Sequence, residues 1–95
     1  MYTALVVCRA GMGSSTLLKI RADQVINAEK LPIETEHGNL DSLMGFSGDV
    51  VITMADLAGE IKDEVPYVIG IQNIMDKEEM REGLTNFLSS KESKN

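Results

Sequence analysis

A chain of 95 residues suffices for one compact domain (residues 1–95) and one hydrophobic core, not two. With 43% apolar and 25% charged residues it resembles ordinary folded proteins, and no apolar run approaches the length that spans a bilayer, so direct membrane insertion is not expected. The formal charge of −6 disfavours nucleic acid or anionic lipid as partners. The amino terminus lacks the basic segment and cleavage site of a signal peptide, and one cysteine cannot close an intramolecular disulfide. A reducing, cytoplasmic setting is therefore expected.

Thr3-Ala4-Leu5-Val6-Val7 is short, continuous and rich in branched apolar residues, as suits a strand buried on both faces of a parallel sheet. Cys8 follows at the expected carboxyl end of that strand and opens the loop Cys8-Arg9-Ala10-Gly11-Met12-Gly13-Ser14-Ser15. Leu18, Ala22, Val25 and Ile26 then recur at helical spacing, which predicts a helix from about Ser14 to Ala28. Pro32 marks a restart, and Leu31 to Glu36 reads as a polar edge strand with Ile33 facing inward. Gly38-Asn39 signals a turn, and Leu40, Leu43 and Met44 suggest a short helix before Gly45.

Asp49-Val50-Val51-Ile52-Thr53 predicts another buried strand, followed by Met54, Leu57, Ala58 and Ile61 on a helix that Thr53 and Asp56 would cap. Pro66 to Ile71 supplies the fourth strand. Asp76 with Glu79 opens a last helix with Met80, Leu84, Phe87 and Leu88 on its inner face, and 89–95 reads as a frayed tail. Strands and helices thus alternate, which predicts an open four-stranded parallel α/β sheet of Rossmann-like or flavodoxin-like type, helices on both faces, strand order 2-1-3-4. Cys8 then lies beside the point where strand order reverses, where such sheets bind ligands.

Gly11 and Gly13 allow the backbone to approach a ligand closely, so several amides can converge on one anion at the start of the helix. A thiol among these partial positive charges is expected to have a lowered pKa, and the thiolate is the nucleophile. Cys8 would accept a phosphoryl group. Ser14, Ser15 and Thr16 would add hydroxyl donors, and Arg9 would offset charge or meet a partner. The loop lacks the lysine of a Walker motif and the third glycine of a dinucleotide fingerprint, so a nucleotide cofactor is not expected.

The Cys8 loop, its position and the chain length resemble the cytoplasmic IIB components of the sugar phosphotransferase system, closest to the ascorbate and galactitol branch. Softer likenesses are Gly48-Asp49-Val50-Val51-Ile52-Thr53, Ala55-Asp56-Leu57-Ala58, and Ile71-Gln72-Asn73-Ile74-Met75-Asp76. The resemblance implies that Cys8 takes a phosphoryl group from a phosphohistidine on the IIA component and passes it to sugar held by the membrane IIC transporter. It implies no cofactor, and contact with IIC at the inner face of the membrane. Arg9 replaces the small residue usual after the cysteine.

Two other readings stand beside this one. A low-molecular-weight phosphatase or arsenate reductase also carries a cysteine loop on a similar sheet, but those phosphatases have arginine six residues after the cysteine, where this chain has Ser14. A regulatory interaction module on the same fold is the other. His37 follows the second predicted strand and reads as solvated. Asp49, Asp56 and Asp76 read as turn and cap residues, Met44, Met54 and Met80 as core on helix faces, and Glu78, Glu79, Arg81 and Glu82 as a solvated helix face. No His, Cys and carboxylate cluster has metal-ligand spacing.

Overall fold

Val50, Val51 and Ile52 have no exposed surface, so the strand they form is covered on both faces, as its unbroken apolar run requires. The computed structural model describes residues 2–7, 13–38, 48–63, 65, 67–73 and 75–92, with side chains from 17 onward in the first helix and to 91 in the last. Four strands and three helices lie within them: β1 (Tyr2–Val7), α1 (Gly13–Glu29), β2 (Ile33–Gly38), β3 (Val50–Met54), α2 (Ala55–Ile61), β4 (Val68–Ile71) and α3 (Lys77–Glu92). All neighbouring strands are parallel, in the order β2-β1-β3-β4, as expected from the sequence.

α1 and α3 cover one face of the sheet, where Leu18, Val25, Met80, Leu84 and Phe87 meet Val6, Val50, Ile52 and Ile71. The Phe87 ring stands edge-on to both Tyr2 and Tyr67, each with its centroid 5.3 Å away. α2 covers the other face through Leu57 and Ile61, which pack on Leu5, Val7 and Val51. Among the described residues α2 lies mainly over β3 and β4 and reaches β1 through Leu5 and Val7. β2 alternates: Ile33 packs with α1 in the core and is buried, whereas Glu34 and Glu36 point to the opposite face and are exposed.

Local chemistry sets the connections. Lys30 adopts a left-handed conformation (φ 55°) and the Leu31 N–H donates to the Ile26 carbonyl at 3.0 Å, a Schellman closure of α1 just before Pro32. Asp49 is clamped to β1 from both directions: its carboxylate accepts the Thr3 N–H at 2.9 Å and its own N–H donates to the Thr3 carbonyl at 2.9 Å. Asp23 of α1 accepts the Thr35 hydroxyl and pairs with Lys19 at 2.9 Å, tying the helix to the edge strand. Gly70 lets α2 lie close to β4, since a Cβ there would sit 2.9 Å from the Ala58 Cβ and 3.2 Å from the Ala55 Cα.

Three expectations are corrected. Thr53 does not cap α2: β3 continues through Met54, which precedes the helix without a side-chain cap bond, so no capping box forms with Asp56. Met54 therefore ends a strand and is partly buried against the core, whereas Met80 is buried on a helix face as expected. α3 runs on to Glu92, and Lys91, placed 5.8 Å over the Phe87 ring, packs on the helix's own core residue. Glu79 is half-buried rather than simply solvated, for a reason given below. The short helix expected at Leu40, Leu43 and Met44 lies outside the described residues.

Candidate functional site

Because all four strands are parallel, Val7, Gly38, Met54 and Ile71 end at the same edge of the sheet, where α1, α2 and α3 begin. β1 lies between β2 and β3, so the chain reverses its direction of travel across the sheet beside Val7. A crevice at that point is the general ligand position of open parallel sheets. Val6 and Val7 are fully buried, which anchors the end of β1.

Beside this point, Met54, Ala55, Asp56, Ile71 and Gln72 line an open cleft of about 480 Å³. Asp56 is exposed in the first turn of α2. Thr53, next to Met54 in β3, is fully buried, and its hydroxyl finds no hydrogen-bond partner among the described residues.

The segment after β4 is held by side chains of its own and of α3. Asp76 caps α3, its Oδ1 accepting the N–H groups of Glu78 at 3.0 Å and Glu79 at 3.3 Å. The Asn73 Oδ1 accepts the Met75 N–H at 3.0 Å. Glu79 does not fold back on its own helix; its carboxylate accepts the N–H of Gln72 at 2.8 Å and of Asn73 at 2.9 Å. Those two amides are thus satisfied internally. On the same helix, Glu78 bonds to Arg81 at 2.6 Å, and that hydrogen bond and the carboxylate charge raise the Arg81 guanidinium above its ordinary pKa.

Of the residues singled out in the sequence, Cys8, Arg9, Ala10, Gly11 and Met12 lie outside the described residues. Gly13 begins α1, and Ser14, Ser15 and Thr16 are helical in its first turn; their side chains are not described. His37 is not beyond the second strand but inside it, exposed and opposite Val6, one residue short of the carboxyl end. Glu79 reads from the sequence as an opening residue of α3 on a solvated face, not as a brace for the segment after β4, and Arg21 carries no signal there. Glu79 acts on backbone amides, which carry no sequence signature, and Arg21 sits between residues of unremarkable helical type. Among the described residues no group of three or more His, Cys, Asp or Glu is arranged to hold a metal ion, and no helix is long and apolar enough to cross a membrane.

The sequence model of the family described as "PTS system, Lactose/Cellobiose specific IIB subunit" matches residues 3–86. The chain is also similar to the ascorbate-specific PTS system EIIB component of Mycoplasma pneumoniae, at 25% identity over 87 residues, covering 88% of this chain and 92% of that protein. The family match runs from the start of β1 into α3 and so includes the whole sheet and the Cys8 loop. The chain belongs to the IIB family of the sugar phosphotransferase system, whose members are phosphotransferase subunits.

Proposed function

We propose that Cys8 is the phosphoryl carrier of this IIB subunit, with the loop from Arg9 through Ala10, Gly11, Met12, Gly13 and Ser14 to Ser15 as its phosphate cradle. The Cys8 thiolate attacks the phosphorus of a phosphohistidine on a IIA component. The S–P bond forms as the N–P bond breaks, and the departing imidazole takes up a proton. A hydroxyl of the sugar held by the membrane IIC component then attacks the same phosphorus; an O–P bond forms, the S–P bond breaks, and the thiolate is regenerated as the hydroxyl proton leaves to a base. Both steps rest mainly on positioning and on stabilising negative charge.

The observation that carries the reading is the chain path at the sheet edge. β1 ends at Val7 beside the reversal of strand order and α1 begins at Gly13, so the intervening residues form the strand-to-helix connection. The likeness to the ascorbate-specific relative supports an ascorbate-like sugar, with a galactitol-like one as the neighbouring choice. On this reading the protein works in the cytoplasm and meets IIC at the inner face of the membrane. It uses no metal and no cofactor of its own.

The test is incubation with phosphoenolpyruvate, the general phosphotransferase proteins and IIA components of the ascorbate, galactitol and lactose/cellobiose types, followed by intact-mass measurement. A single phosphoryl adduct with the ascorbate- or galactitol-type donor, lost in Cys8→Ser, is expected. An unmodified wild-type protein in the presence of competent donors would overturn the proposal.

A further inference from the structure

Arg21 is held in a way that suits a missing partner. Its Nη1 donates to Gln24 Oε1 at 3.1 Å, its Nη2 donates to the Met75 sulfur at 3.4 Å, and its Nε is buried without an acceptor among the described residues. No carboxylate is paired with it there; Lys30, Lys62 and Lys77 also lack an acidic partner among the described residues, but they are exposed, whereas Arg21 has a buried Nε. Nε and Nη2 form one side of the planar guanidinium, the fork that grips a carboxylate or phosphate through two parallel bonds. A thioether is a weak acceptor and cannot replace such a group. The cap is also mobile in kind: Met75 is unbranched and 61% exposed, and Ile20, beside Arg21 in the chain, is 46% exposed.

We infer that Arg21 is a docking residue for the phosphoryl donor: a carboxylate on the IIA surface displaces Met75 and occupies the Nε/Nη2 fork, while Met75 and Ile20 meet apolar side chains around it. Charge complementarity selects this occupant, since a cation with no carboxylate partner among the described residues favours an acidic patch. The transferred phosphoryl group is a poorer candidate. Arg21 lies eight residues beyond Gly13, about 12 Å along the helix axis, and a side chain leaning toward the amino terminus covers only part of that distance. The inference rests on the carrier reading of Cys8 for the identity of the partner.

The probe is an ascorbate-type IIA protein, with binding followed by calorimetry and phosphoryl transfer by intact mass at varied donor concentration. Arg21→Gln is expected to raise both Kd and KM about tenfold with kcat unchanged, and Arg21→Lys to fall between it and wild type. Met75→Glu, at an exposed position, supplies an internal carboxylate to the fork and should weaken binding equally. The double variant should be no weaker than either single one, and this pair carries the test should Arg21→Gln fold poorly. Wild-type affinity in Arg21→Gln or Met75→Glu would overturn the inference. So would a fall in Cys8 alkylation by iodoacetate relative to iodoacetamide in Arg21→Gln, because the fork would then serve the anion site of the cysteine itself. Arg21-dependent binding without phosphorylation would overturn the Cys8 reading and leave the docking surface standing. Neither binding nor phosphorylation would overturn both.

Discussion

The Glu79 carboxylate accepts the Gln72 N–H at 2.8 Å, joining the first turn of α3 to the residue that follows β4 and lines the cleft. With the second bond to Asn73, one side chain fixes the path of the chain along that rim. Glu79→Ala is expected to lower stability by about 1 kcal/mol, since these are charge-assisted bonds in a partly exposed setting. Glu79→Gln, which keeps one oxygen acceptor, should lose less. Urea denaturation measures the stabilities, and faster amide exchange at Gln72 and Asn73 in Glu79→Ala would locate the effect.

Two glycines should respond oppositely to alanine. Gly70→Ala places a methyl 2.9 Å from the Ala58 Cβ and 3.2 Å from the Ala55 backbone, so α2 must shift away from β4. A loss of about 1–3 kcal/mol is expected for such overpacking. Gly59→Ala meets nothing within 4 Å in an exposed helical position and should gain up to about 1 kcal/mol from helix propensity. Thermal unfolding of the two variants beside wild type checks both signs.

Thr53 offers a test of the buried hydroxyl that has no partner among the described residues. Thr53→Val keeps the shape and removes the oxygen, which should raise stability by about 1 kcal/mol. Thr53→Ser keeps the oxygen and removes a buried methyl, so it should be destabilising. A destabilised valine variant in urea unfolding would show that the hydroxyl has a partner in the folded protein.

Lys30 holds a left-handed backbone with a side chain that disfavours it. Lys30→Gly is expected to stabilise the protein by about 1 kcal/mol, while Lys30→Ala, which retains the Cβ, should not. Paired denaturation curves separate these outcomes from any effect of the lysine charge.

The sheet was legible because its central strands are written as continuous apolar runs and because alternating strands and helices leave few topologies. β1 and β3 needed no tertiary information. The errors lie where local signals compete. Thr53 reads as a helix cap beside Asp56, yet a β-branched residue in a β-branched run continues the strand, and Met54 becomes the boundary. The proposed chemistry rests on Cys8 and the glycines after it, which the sequence displays and which lie outside the described residues, apart from Gly13 at the start of α1. The restraint by Glu79 and the thioether contact of Arg21 were not legible, since one depends on backbone amides and the other joins residues 54 positions apart.

The alternation of β2 has a consequence for the protein as a solute. An open sheet offers its outer strand as a template on which another copy can add. Glu34 and Glu36 stand exposed on this one, and a second copy arriving antiparallel would set carboxylates near carboxylates. Stacking into fibres from that side is therefore opposed by charge repulsion, so the acidic face of β2 keeps an open strand from recruiting its own kind.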